Sequence, residues 1–360
     1  MKIAILQSYV PHYRCEFFER LSLKFDTDLY IYQKNKKTIE LGLSLGNVKT
    51  THISGFEWHK FVFYNPWQFY FKRKYDYIIL PLNIGYVTTW IILLLNIIIQ
   101  RKIILWGHGI SVKRYLVEEN HPDWKIKLMI SLSNGLWTYM EKEANQWQRI
   151  FPQKTIVALN NTVSNVEEMI KFSEEHKVKD GNRFKMKYNI EQNTILLFCA
   201  RFEENNRRTD LLLDAINKLD KNKYGFIIIG AGKNKPDFSS FDNVYDMGAI
   251  YDTKIKRELF CLADVYFQPG WVGLSIVEAM AYGLPVFTFK RSINVKQCVE
   301  YSYIKHGING WIVNSVNELV SNLDNFSKPQ LTSMGINARN YIKNNATVNN
   351  MVRNACSILK

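Results

Sequence analysis

Gln268-Pro269-Gly270-Trp271-Val272-Gly273-Leu274-Ser275-Ile276-Val277-Glu278-Ala279-Met280-Ala281-Tyr282-Gly283-Leu284-Pro285-Val286 decides the reading of this chain. Val265–Phe267 just before it reads as a buried strand. Gly270 and Gly273 open a loop, and Ser275–Tyr282 reads as a short helix. Gly283 stops that helix and Pro285–Phe289 begins the next strand. Such a strand, loop, helix and strand form one unit of a parallel sheet with helices on its faces. Ligands of these sheets bind outside the carboxyl ends of the strands, so the loop at 268–275 is a candidate site. N–H groups at Gly273, Leu274 and Ser275 can approach an anion closely. Glu278, on the first helical turn, suits a carboxylate that accepts hydrogen bonds from ribose hydroxyls.

The same alternation runs outward in both directions. Thr194–Ala200 reads as a strand, Thr209–Leu219 as a helix, and Gly225–Ile229 as a strand ending in Gly230-Ala231-Gly232. Thr253–Ala263 is a helical pattern, Trp311–Val313 a short strand, and two helical patterns finish the chain. In the first half, strands are expected at Lys2–Gln7, Asp28–Gln33, Tyr77–Leu80, Lys102–Trp106 and Ile156–Leu159. Helices are expected near Cys15–Phe25 and at 87–99. Two doubly wound domains follow: 1–165, then a charged helical connector at 166–190, then 191–340. A last helix within 341–360 is expected to pack back on the first domain.

At 360 residues, with 47% apolar and 22% charged residues, the chain is of ordinary globular composition, which excludes disorder and fibre. Its five cysteines form no CxxC pair, so neither a zinc cluster nor a disulfide framework is indicated, and a reducing cytoplasm fits. The apolar start is too short for a signal peptide. The longest apolar run, Val87 to Ile99, is too short to span a bilayer and is expected to be a buried core helix. Net charge is +14. Residues 1–165 hold 21 Lys+Arg against 12 Asp+Glu, so most of the excess lies in the first half. With no basic helix, zinc finger or aromatic RNA-binding motif, nucleic acid is not the expected partner. Pro66–Tyr75, with Trp67 through Lys74 at its centre, mixes aromatic and basic residues and is the candidate for an anionic membrane surface.

A second loop matters as much as the first. In Ala200-Arg201-Phe202-Glu203-Glu204-Asn205-Asn206-Arg207-Arg208-Thr209, one arginine ends a strand and two open a helix. Two guanidinium groups flanking one loop suit a diphosphate, which they grip by paired hydrogen bonds. No acidic cluster with metal-ligand spacing accompanies them.

Together the two segments resemble the donor domain of the retaining glycosyltransferases of the GT-B fold, the group-1 type usually called family four. Glu278 through Val286 matches the end of that family's motif at its fixed positions, and Arg201 matches the family arginine. Arg207 stands for the family lysine after a one-residue insertion, and Asn206 would occupy that place without it. Gly270 departs from the pattern, because the family has a sugar-holding Glu eight residues before Glu278. Ile104-Leu105-Trp106-Gly107-His108-Gly109 is similar to the strand and loop that carry a family His. Pro11-His12-Tyr13-Arg14 is similar to the opening loop.

The resemblance implies an α/β GT-B fold, with two Rossmann-like parallel-sheet domains facing across a cleft. It implies transfer of a sugar, with retention, from a nucleoside-diphosphate sugar to a hydroxyl of a glycan or lipid-linked glycan. The setting it suggests is bacterial cell-surface polysaccharide synthesis, in the cytoplasm or peripheral to the plasma membrane. No cofactor and no metal are expected. His108, Arg201 and Arg207 take catalytic roles. Gly273, Leu274, Ser275, Glu278, Gly230, Gly248, Ala249 and Ile250 bind the donor. His12, Tyr13, Gly107, Gly109 and Gly270 lie on the acceptor or sugar side. A nucleotide-sugar epimerase of related fold and a non-catalytic scaffold, the latter suggested by Gly270, are the alternatives.

Overall fold

The computed structural model describes residues 1–33, 48–203 and 205–359. It divides into two compact units, Met1–Ser164 with Val348–Lys360, and Asn165–Thr347.

The first unit is built on strands β1 (Lys2–Gln7), β2 (Asp26–Ile31), β3 (Lys49–His52), β6 (Tyr77–Pro81), β7 (Ile103–Gly107), β8 (Gly135–Thr138) and β9 (Thr155–Ala158). They form one parallel sheet in the order β3-β2-β1-β6-β7-β8-β9. β4 (Gly55–Trp58) and β5 (Phe61–Tyr64) make a separate antiparallel ribbon. The second unit carries β10 (Thr194–Cys199), β11 (Tyr224–Ile229), β12 (Val244–Asp246), β13 (Val265–Phe267), β14 (Val286–Phe289) and β15 (Gly310–Val313). These are parallel in the order β12-β11-β10-β13-β14-β15. Central strands such as Ile3–Leu6, Ile103–Leu105 and Leu196–Phe198 are buried on both faces, and for that reason read as unbroken apolar runs.

Three expectations change. Residues 166–190 are not a free connector. Val166–Lys187 is one helix of the second unit, packed on the Thr253–Leu262 and Ser275–Ala281 helices. An Arg257–Glu168 ion pair at 2.9 Å and a Lys177 Nζ bond to the Ala263 carbonyl tie it down. At the other end, helix Lys328–Asn345 stays in the second unit, and only Val348–Ile358 joins the first, against helix Cys15–Ser22 and β9. Finally, Val87–Ile99 is not a buried core helix. It buries Thr88, Thr89, Ile92, Leu93 and Asn96 and leaves Ile91, Leu94, Leu95, Ile97, Ile98 and Ile99 in solvent.

One helix contact yields a sharp test. Gly335 lies mid-helix, where Ala would ordinarily gain about 1 kcal/mol of propensity. A Cβ there would stand 2.2 Å from the Gly283 carbonyl oxygen, the turn that ends the Ser275–Ala281 helix. Gly335→Ala is therefore expected to lower stability in urea unfolding by about 1–3 kcal/mol, against propensity. An unchanged or higher midpoint would contradict this packing.

Candidate functional site

In the second unit the strand order reverses direction between β10 and β13, which makes their carboxyl ends a topological switch point. The two loops expected to carry chemistry leave the sheet there. Tyr266 joins them, its hydroxyl lying 2.9 Å from both the Cys199 carbonyl and Gln268 Oε1.

Gln268 is fully buried and shapes the second loop. Its Nε2 donates to the carbonyls of Gly270 (3.2 Å) and Trp271 (2.9 Å), and the Ser275 hydroxyl donates to its Oε1 (2.8 Å). Gln297, equally buried, receives the Val272 N–H at 2.7 Å and donates to the Phe289 carbonyl at 3.0 Å. A carboxamide has two donor hydrogens and one double acceptor, so Gln268 is fully used.

The first loop docks on this frame. Arg207 Nη1 donates to the Trp271 carbonyl at 3.0 Å. The Asn206 carbonyl lies so near Gly270 that a Cβ there would be 2.5 Å from it. Gly270 is thus a packing requirement of this loop pair, and a Glu at 270 has no room without moving backbone. Glu278 is partly buried and pairs with Lys256 of the Thr253–Leu262 helix, Nζ to Oε2 at 2.7 Å. Burial pushes the Cys199 thiol up to about 12, while Lys256 and Arg207 pull it down and Glu278 pushes it up. Three charges therefore surround one point at the end of β10.

The other residues expected on the donor side lie as follows. Arg201 lies two residues past the end of β10, is exposed, and makes no hydrogen bond or ion pair among the described residues. Gly273, Leu274 and Ser275 precede the first helical bonds, in which Ile276 and Val277 donate to Gly273 and Leu274. Gly230 has φ 145° and passes so close to the Ala200 carbonyl that a Cβ would overlap it at 1.9 Å. Its N–H donates to Gly248 at 2.7 Å, which brings the ends of β11 and β12 beside that of β10. Ala249 is exposed and Ile250 half-buried after them.

In the first unit His108 follows β7 between Gly107 and Gly109. Gly109 accepts a hydrogen bond from Trp147 Nε1 at 2.9 Å, which fixes the turn. The imidazole meets the Tyr139 ring at 4.6 Å between centroids. Arg14, buried, stacks over Trp106 and Tyr139 at 4.8 and 5.1 Å and donates to Asn161 Oδ1 at 2.8 Å. His108 reaches the surface, yet loss of hydration around the ring, then the Arg14 charge, pull its pKa down to about 4. The imidazole is therefore neutral near pH 7 and offers one donor and one acceptor. His12 is exposed and Tyr13 half-buried in the loop after β1, their rings 5.6 Å apart.

Sequence reasoning missed Gln268, Gln297, Lys256 and Arg14. The first two are neutral amides with no spacing signature. Lys256 stands 22 positions from its partner. Arg14 did carry a signal: a cation in a strand-end loop, in a half rich in aromatic residues.

Two measurements check this geometry. Gln268→Leu keeps the volume but leaves two carbonyls and a hydroxyl without their partner, so stability should fall by about 3 kcal/mol in denaturant. A loss near zero would mean that the amide does not organise the loop. By NMR, the His108 ring should titrate near 4 and move upward in Arg14→Met. Because the unfolded chain charges this His at its ordinary pKa, the unfolded state binds more protons between that value and 4. His108 therefore lowers stability as pH falls through that window. A midpoint at the ordinary value would contradict that loss of hydration.

Residues 193–328 match the family model described as Glycosyl transferases group 1. No curated protein matches the chain significantly. Among solved structures, HepE of Anabaena in complex with UDP is similar over 100% of this chain and 99% of its own, with TM-score 0.68 and 13% identity. Sucrose-phosphate synthase of Thermosynechococcus elongatus is similar over 100% and 98%, with TM-score 0.68 and 13% identity. A glycosyltransferase of Rickettsia africae is similar over 99% and 97%, with TM-score 0.65 and 16% identity. Residues 193–328 of the second unit thus match the glycosyl transferases group 1 model, in a chain with the GT-B fold.

Proposed function

We propose that the chain is a retaining glycosyltransferase that takes its sugar from a nucleoside-diphosphate sugar bound to the second unit. The observation that carries this reading is the cluster at the end of β10. Arg207 is held on the Trp271 carbonyl, and the Lys256–Glu278 pair stands beside it. HepE has been solved with UDP and with UDP-glucose, which supports a uracil nucleotide as the first donor to try.

As the glycosidic bond breaks, negative charge grows on the departing diphosphate. Arg201 and Arg207 stabilise that charge, helped by the N–H groups at Gly273, Leu274 and Ser275. This assigns neutralisation to side chains and backbone rather than to a resident metal. Lys256 fixes Glu278 so that its free oxygen accepts from the ribose hydroxyls. Gly230, Gly248, Ala249 and Ile250 pack on the base. In the first unit His108, neutral and oriented by Tyr139 and Arg14, hydrogen-bonds the sugar. His12, Tyr13, Gly107 and Gly109 lie on the acceptor side. The acceptor is a glycan or lipid-linked glycan of a bacterial surface polysaccharide, reached from the cytoplasmic face with the first unit docked peripherally near Trp67–Lys74. Among the described residues no helix is long and apolar enough to cross a membrane.

A thermal-shift panel of UDP-, GDP-, TDP- and CDP-sugars tests the reading. At a hundredfold excess over Kd, one of them should raise Tm by about 5 °C. Arg201→Ala and Arg207→Ala should each abolish that response without lowering the ligand-free Tm by more than about 3 °C. A shift that survives both substitutions would overturn the site.

A further inference from the structure

The Val87–Ile99 helix is amphipathic in the reverse of the usual sense. Thr89, Ile92, Leu93 and Asn96, spaced i, i+3, i+4, i+7, face the core and include its polar residues. Ile91, Leu94, Leu95 and Ile98, with the same spacing, face solvent, joined by Ile97 and Ile99. Ile98 is 82% exposed. The inward polar groups are all used. Thr88 Oγ1 accepts from the Tyr64 N–H, Thr89 shares a hydrogen bond with the Tyr64 hydroxyl, and Asn96 bonds Tyr70 and Arg101. Folding therefore explains the polar face and leaves the aliphatic one without a partner among the described residues of this unit.

The surroundings of that face say what covers it. Trp67–Lys72 runs beside the helix through the Tyr70–Asn96 bond, and the Trp124–Leu132 helix packs alongside. Both expose an aromatic ring, Trp67 at 60% and Trp124 at 68%. Both also carry exposed lysines: Lys72 at the end of the first, with Lys74 close behind, and Lys125 and Lys127 on the second. Lys72 and Lys74 have no acidic partner among the described residues. No Asp or Glu occurs between Asp76 and Glu118. Aliphatic centre, tryptophan edge and lysine rim are the three layers of an interfacial helix.

We infer that the solvent face of the Val87–Ile99 helix docks the first unit on an anionic lipid bilayer, lying in the plane of the headgroups. The inference rests on the peripheral-docking reading above and names the element that enters the lipid. With 13 residues the helix is about 20 Å long, too short to span and long enough to lie flat. A second copy of this chain is disfavoured as the occupant, because two lysine rims of the same sign would meet.

Co-sedimentation of the full chain with phosphatidylcholine vesicles, alone or mixed with phosphatidylglycerol, tests this. The chain should pellet with the mixed vesicles and far less with the neutral ones. Leu94→Gln/Ile98→Gln, at exposed positions, should weaken partitioning at least about tenfold. Lys72→Gln/Lys74→Gln should weaken it about fivefold per lysine. Both variants should keep the nucleotide-dependent rise in Tm. Equal pelleting of Leu94→Gln/Ile98→Gln and the parent would overturn the role of the helix and leave peripheral docking standing. Absence of pelleting with either vesicle would overturn both. A dimer in solution that dissociates in Leu94→Gln/Ile98→Gln, without vesicle binding, would show a second copy on this face and overturn the inference. Vesicle binding in a chain that answers to no nucleotide sugar would sink the transferase reading alone.

Discussion

A buried carboxamide holds the candidate site together. Gln268 has no access to water, so every polar group around it must be satisfied from within. Its two donor hydrogens go to consecutive carbonyls, at Gly270 and Trp271, and its oxygen is faced by Tyr266 and Ser275. That pattern fits one shape of the 269–275 loop. Once the loop has that shape, the Trp271 carbonyl seats Arg207, and the Asn206 carbonyl closes over Gly270. A guanidinium fixed in advance costs less ordering when it meets an anion than one that swings free. Arg201, exposed two residues past the end of β10, has no such seat among the described residues.

Charge is managed differently in the two units. The second gathers Arg207, Lys256 and Glu278 around the end of β10, with net positive character. The first buries Arg14 against aromatic faces, where cation–π contact replaces part of its lost hydration. That buried cation helps keep His108 neutral, so the first unit offers a hydrogen-bonding imidazole rather than a second charge. The lysines flanking the Val87–Ile99 helix make up part of the basic excess of the first half, which the donor site proposed in the second unit does not explain.

Much of the fold was legible because parallel strands covered on both faces are apolar throughout. Lys2–Gln7, Thr194–Cys199 and Val265–Phe267 lie where their runs place them. β4 escaped notice because Gly55–Trp58 is wholly exposed and lacks an alternating pattern. β8 escaped because it is four residues long and starts on Gly135. Val166–Lys187 looked like a connector because its own surface is charged. The partners that build it into the second unit, Arg257 and the Ala263 carbonyl, lie far along the chain. The site was legible to the same degree. Loops bearing Arg207 and Glu278 follow from strand ends, helix starts and a family motif. The amides that shape those loops carry no charge and no period, and only tertiary structure reveals them.

Backbone hydrogen exchange of the full chain with and without UDP probes the central claim most directly. The account predicts slowed exchange confined to residues after β10, around 201–208, after β11 and β12, around 230 and 248–250, and at 271–277. Slowing that spares these loops, or falls on the 289–295 or 314–317 segments instead, would contradict it.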